Sequence, residues 1–248
     1  MNILGIYSNK GGVGKTTAAV NLSFLAAEAG LKTLVCDLDP QSSASYYFRV
    51  KPKLRRNAKG FRKGGKNIER SIKGTDYENL DILPADLTHR NLASTFSKLK
   101  RRKRRLNRIL DPLRAEYDLI VLDCPPSISL LAENIFNVAD YLLVPVIPTT
   151  LSVRSHLQLL TFLKKKKYAR DNIYAFFSLV DRRKKMHKEF IANMSREFTG
   201  VLRNSIPSLS NIERMGVERE PVPAFAPTSA AAKSYRELWR EVKATLLD

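Results

Sequence analysis

Acidic residues are scarce in this chain. Only 24 Asp and Glu stand against 43 Lys and Arg in 248 residues, for a formal net charge of +19 and a pI near 10.1. Such an imbalance puts a polyanion first among candidate partners, nucleic acid ahead of an anionic membrane surface. Cysteine is rarer still. Cys36 and Cys124 are too few and too far apart for a disulfide framework or a CxxC metal site, which fits a reducing compartment. No apolar run reaches the roughly 18 residues of a spanning helix. Met1 to Ser8 lacks both a basic lead and a long apolar core, so a soluble cytoplasmic protein is expected. With 11 Gly, 12 Pro and 44% hydrophobic residues, collagen-like and low-complexity chains are excluded. At this length a single domain spanning 1–248 is expected.

Apolar runs of strand length alternate with amphipathic stretches of helix length. That rhythm predicts an α/β fold with a doubly wound, mostly parallel sheet and helices on both faces. Strands are expected at Ile3 to Tyr7, Thr33 to Asp37, Leu80 to Leu83, Leu119 to Asp123, Tyr141 to Val146, Ile173 to Val180 and Val201 to Ile206. Helices are expected at Thr17 to Ala29, ended by Gly30, and at Leu131 to Val138, Val153 to Lys165, Lys185 to Phe198 and Ala230 to Leu247. Two stretches break the rhythm. Lys51 to Lys73 holds ten basic residues and one acidic one, with several glycines, and reads as a solvated insertion. Lys98 to Arg108 has eight basic residues in eleven, and the apolar spacing of Leu99, Leu106, Ile109 and Leu110 suits a helix docked on one face.

The first predicted strand runs into K-G-G-V-G-K-T-T, Lys10 to Thr17, and then into a helix. This is the context a phosphate-binding loop requires. Gly11, Gly12, Val13 and Gly14 let the backbone curl round phosphates, and the amides there and at the helix start point at negative charge. Lys15 reaches the β and γ oxygens, and the Thr16 hydroxyl is placed for Mg²⁺. Asp37-Leu38-Asp39-Pro40-Gln41 ends the second strand, and Leu119 to Asp123 is an apolar strand closed by an acid, as a Walker B strand is. Both fall where open parallel sheets place ligands. Asp118 is read instead as a cap or a partner of a nearby lysine.

These motifs, with the extra early lysine and the D-C-P-P-S after the Walker B strand, resemble the deviant Walker A group of P-loop ATPases and within it the ParA partition ATPases. The resemblance extends to P-V-I-P at Pro145 to Pro148 and to the terminal K-S-Y-R-E-L-W-R-E-V. It implies ATP and Mg²⁺ as cofactors and an ATP-bound homodimer in which Lys10 crosses to the partner subunit's phosphates. It further implies Lys15 and Thr17 in the phosphate cradle, Asp39 on the attacking water, Thr16 and Asp123 at the metal, and Pro207 near adenine. A ParB-like or adaptor protein would stimulate slow hydrolysis, and the cargo would be a plasmid, a chromosome or a protein assembly moved over the nucleoid.

Ser42-Ser43 departs from the family, which usually has glycine after D-P-Q. The short lead before the first strand resembles the short ParA type, so operator binding through an added helix-turn-helix is not expected.

Four basic runs, Lys51 to Lys73, Lys98 to Arg108, Lys164 to Arg170 and Arg182 to Lys188, hold most of the positive charge. Clustering of that kind is the footprint of a protein that reads the DNA backbone without base contacts, so non-specific double-stranded DNA is the expected polyanion. Two alternatives stay open. A MinD-like membrane ATPase would need the stripe of Leu238, Trp239, Val242 and Leu246 to lie free for lipid, and a membrane partner is not expected. A nucleotide-gated scaffold would share the same dimer, though Asp39 favours turnover. A cluster carrier is disfavoured because both cysteines fall at packed positions.

Overall fold

The computed structural model describes residues 1–51, 66–85, 104–168 and 172–247. Among them seven strands form one sheet: β1 (Asn2–Ile6), β2 (Thr33–Asp37), β3 (Lys73–Gly74), β4 (Leu80–Leu83), β5 (Leu119–Asp123), β6 (Tyr141–Val146) and β7 (Ile173–Phe177). Their order is β3-β4-β2-β5-β1-β6-β7, parallel throughout except for the antiparallel β3–β4 pair. The inner strands are apolar on both faces, as strands covered on both sides must be; β2 and β5 are buried along their whole length. Successive residues feed opposite layers. Leu34 and Cys36 pack into one layer while Val35 packs into the other.

One face carries α1 (Lys15–Glu28), the short α2 (Ser43–Tyr47) and three helices near the C-terminus, introduced below. The other carries α4 (Arg105–Leu110), α5 (Leu130–Val138), α6 (Thr150–Lys165) and α7 (Lys185–Glu197). A single turn, α3 (Lys66–Glu69), precedes β3, and a 3₁₀ segment, Asp111–Ala115, follows α4. The chain then adds α8 (Ser210–Glu218), α9 (Val222–Phe225) and α10 (Ala230–Val242), and Lys243–Leu247 continues α10 as a wider π turn. Gly30 stops α1 as predicted: it takes a left-handed φ of 87°, and Leu31 N–H closes back on the Ala26 carbonyl at 3.1 Å.

Several expectations need correction. The strand from Ile173 ends at Phe177, and Val201 to Ile206 is not a regular strand but an irregular segment bridged to the sheet at Ala175–Val201 and Val180–Pro207. Residues 52–65 of the basic insertion lie outside the described residues, but its end is not solvated: Ile68 is fully buried and Lys73 pairs with Ile82 on β4. In the second basic run residues 98–103, Leu99 included, lie outside the described residues. Leu106, Ile109 and Leu110 dock as expected, Arg104 is exposed, and Arg105 is half-buried rather than fully on the exterior. The stripe of Leu238, Trp239, Val242 and Leu246 is buried in the core, as are both cysteines. No described helix is long and apolar enough to cross a membrane.

Candidate nucleotide site

The register of the sheet brings three motifs to one edge. Ile6 at the end of β1 pairs with Asp123 at the end of β5, and Asp123 pairs with Asp37 at the end of β2. The glycine loop leaves β1 at this edge and enters α1 directly. Gly12 and Gly14 both adopt left-handed φ values, 69° and 89°. Gly14 is required twice over, because a Cβ there would also sit 2.8 Å from the Ser178 Oγ. The Thr17 hydroxyl donates to the Gly14 carbonyl at 3.0 Å and pins the loop to the first turn of α1.

Lys15 is 7% exposed, and its ammonium donates to the Lys10 carbonyl at 3.0 Å, so it lies across the inside of the loop. Burial lowers its pKa, and Asp123 opposes that shift. Asp123 is fully buried, and among the described residues neither of its carboxylate oxygens has a hydrogen-bond partner of standard geometry. Burial pushes its carboxyl well above the usual carboxylate range, Asp37 adds to the shift, and the nearby Thr16 hydroxyl opposes it. A buried carboxylate left unsatisfied beside a hydroxyl and an ammonium is costly in a fold. It is the arrangement a hard cation with oxygen ligands satisfies, so Thr16 and Asp123 fit magnesium.

Asp39 lies just beyond β2, half-buried. Its Oδ1 accepts from the Gln41 N–H at 2.9 Å and its carbonyl accepts from the Ser42 N–H at 2.9 Å. Ser42 takes φ 57°, a left-handed conformation that glycine adopts freely and serine adopts only against a steric penalty. Lys10 is half-buried at the mouth of the loop, and among the described residues none pairs with its ammonium. Pro207 is half-buried and bridges to Val180, two residues past the Ser178 that abuts Gly14. Asp118 has a structural bond other than the helix cap or lysine ion pair read from the sequence: its Oδ2 accepts from the backbone N–H of Lys32 at 2.9 Å.

Sequence reasoning named Asp37 only as part of its motif. Here Asp37 is fully buried, its Oδ2 accepts both from the Ser45 N–H at 2.8 Å and from the Ser45 hydroxyl at 2.7 Å, and burial raises its pKa to about 6. It therefore anchors α2 behind Asp39. The alternation of D-L-D, one acid on the strand and one past its end, is the signal that separates the two. Asn21 was missed entirely. It is fully buried, its Nδ2 donates to the Thr17 carbonyl at 2.7 Å, and its Oδ1 accepts from the Val222 N–H at 2.8 Å, tying α1 to α9.

A glycine loop between a central strand and its helix, a lysine inside the loop, and a strand-end acid beside the helix's first hydroxyl define a P-loop nucleotide-hydrolase site. The chain matches the family model described as AAA domain (AAA_31) over residues 1–175, and it belongs to that family, as a ParA-type P-loop ATPase of the ParA/MinD superfamily. It is 28% identical to the sporulation initiation inhibitor protein Soj of Bacillus subtilis, with 98% of each chain covered. It superposes on the plasmid partition protein of Borrelia burgdorferi bound to AMPPNP with a TM-score of 0.80 at 25% identity, covering 98% of both chains. Cobyrinic acid a,c-diamide synthase of Mycobacterium smegmatis, solved with an ATP analogue and magnesium, shares the fold with a TM-score of 0.82 at 24% identity over 97% of this chain and 93% of its own.

Proposed function

We propose that this protein binds ATP and Mg²⁺, dimerises in the ATP state, holds double-stranded DNA without sequence preference and releases it after hydrolysis, so that a ParB-like or adaptor partner that stimulates turnover moves a cargo over the nucleoid. The observation that carries this reading is the buried, unsatisfied Asp123 carboxylate beside Thr16 and Lys15 at the mouth of the glycine loop. Gly11, Gly12, Val13, Gly14 and Thr17 shape the cradle, and Lys15 turns from the Lys10 carbonyl to the phosphates. Thr16 and Asp123 would hold magnesium, and the ion, when bound, would neutralise charge on the phosphates. Asp39 orients the attacking water, and Pro207 borders adenine. Phosphoryl transfer needs charge placed in advance more than covalent chemistry, and these residues supply it.

Lys10 serves the partner subunit. Lys10 stands half-buried at the loop mouth, while Lys15 lies across the inside. DNA binding is supported by the exposed basic residues Lys164 to Lys167 at the end of α6 and Arg182 to Lys185 with Lys188 at the start of α7. A membrane role finds no support in α10, whose apolar stripe is used in the core. Light scattering with and without ATP tests the assembly. Lys10→Ala should stay folded and monomeric with ATP, and a mutant dimer equal to wild type would refute the crossing lysine.

A further inference from the structure

The loop that carries Asp39 is tied to the far end of α8 through Arg219 and Tyr46. Arg219 ends α8 in the left-handed conformation, φ 56° and ψ 46°, which arginine adopts only against a steric penalty. From there its guanidinium lies over the Tyr46 ring at 4.5 Å and its Nε donates to the Tyr46 carbonyl at 3.1 Å. The Tyr46 hydroxyl donates in return to the Gly216 carbonyl at 3.1 Å, so the contact is reciprocal. From Tyr46 the connection continues in short steps. Its N–H donates to the Ser42 carbonyl at 2.9 Å, and the Ser42 N–H donates to the Asp39 carbonyl at 2.9 Å.

The other end of this strap is rigid. The Arg219 N–H closes on the Met215 carbonyl at 2.9 Å, and the Met215 sulfur accepts from the buried Asn21 amide, which also holds the Thr17 carbonyl. A second tie lies beside the first: Arg49, just after α2, reaches both Asp76 and Glu220, each at 3.0 Å. Helix α2 has only five residues and no side-chain cap of its own. A turn that short does not hold its place by its own hydrogen bonds.

We propose that Arg219 is a positioning residue for hydrolysis: stacked on Tyr46 and bonded to its carbonyl, it holds the Asp39 loop against the α8 end so that the Asp39 carboxylate faces the reacting phosphate. This rests on the assignment of Asp39 made above. The guanidinium does both jobs because it is planar enough to stack and keeps a donor at its edge, which an ammonium does less well. The Arg219 side chain itself meets Tyr46 and not the phosphate cradle, so its loss disturbs the geometry of turnover and not nucleotide affinity.

Arg219→Gly is the clean test, because glycine takes the left-handed conformation freely and the fold is not penalised by the change. The expected result is a kcat lower by roughly ten- to a hundredfold, the scale of a small misplacement near the chemistry, with KM for ATP and the thermal midpoint unchanged. Arg219→Lys should recover part of the loss. Hydrogen exchange on the nucleotide-free variants should quicken at residues 42–49 in Arg219→Gly and not in the strands. Asp39→Ala is measured alongside. Wild-type kcat in Arg219→Gly beside an inactive Asp39→Ala overturns the strap and leaves the role of Asp39 standing. Should Asp39→Ala retain full turnover, that role falls and the positioning role of Arg219 falls with it, whatever exchange at residues 42–49 shows.

Discussion

Asp123 and Asp37 stand level on neighbouring strands, β5 and β2, and both are fully buried. Two carboxyls in one dry place oppose folding, because each resists the other's charge and burial resists both. A cation held by Asp123 would offset that cost.

It follows that Asp123→Asn without ligands should be more stable than wild type by about 1–3 kcal/mol, the cost of a buried polar group left without a partner. The same variant should lose the extra stability that Mg²⁺ adds to ATP binding. Urea unfolding with ATP, with and without Mg²⁺, measures both effects. A full Mg²⁺ increment in Asp123→Asn would remove Asp123 from the metal site.

Ser42 gives a second, independent stability test. It holds φ 57° with no side-chain cap in return, so Ser42→Gly should stabilise by about 1 kcal/mol. For a chain of this size that is a rise of about 2–4 °C in thermal midpoint. A lowered midpoint would mean that the serine makes a compensating contact.

The six strand positions that build the site edge and the central sheet could be read directly from the sequence. Leu119 to Asp123 and Thr33 to Asp37 are apolar runs with an acid at the end, and a strand buried on both faces writes itself in that way. The loop was legible for the same reason, since its glycines and lysines have fixed offsets. The turn of α2, the pair of α8 and α9, and the Val201 to Ile206 segment were not. Ser43–Tyr47 has no helical period to detect, and Val201 reaches the sheet through a single bridge at Ala175. The two-residue β3 is specified by its partner Asp81–Ile82 and not by its own Lys73-Gly74. Asn21 hid for another reason: an asparagine inside a helix says nothing until the carbonyl of Thr17 and the N–H of Val222 are placed around it.

Acid should weaken the protein at α6. His156 is 5% exposed, its Nδ1 has no partner among the described residues, and burial holds its pKa down to about 4. The unfolded chain binds a proton near pH 6.5 that the native imidazole refuses, so the contribution of His156 is complete above that pH and is lost as pH falls toward 4. Between pH 7 and 5 the loss is about 2 kcal/mol. Denaturation at the two pH values should show a smaller drop in His156→Gln than in wild type; equal drops would show that other groups carry the acid sensitivity.

Salt should report the DNA surface. Each lysine or arginine that meets a phosphate makes the slope of log affinity against log salt more negative by about 0.9. Lys184, Lys185 and Lys188 are exposed together at the start of α7. Replacing all three by Ala should flatten the slope on random-sequence duplex, measured by fluorescence anisotropy, while ATP-dependent dimerisation is kept. An unchanged slope would place the duplex on another face.

The most direct test of the account is steady-state ATP hydrolysis by Asp39→Ala with DNA present, read beside its dimerisation. Asp39 is held outside the phosphate cradle, its Oδ1 on the Gln41 N–H at 2.9 Å, so its removal leaves Lys15, Thr16 and the glycines in place. The variant should bind ATP and dimerise like wild type while turning over roughly 100-fold or more slowly, the scale of a lost proton-handling or water-orienting group. A wild-type rate would contradict the account at its centre and move the chemistry away from Asp39.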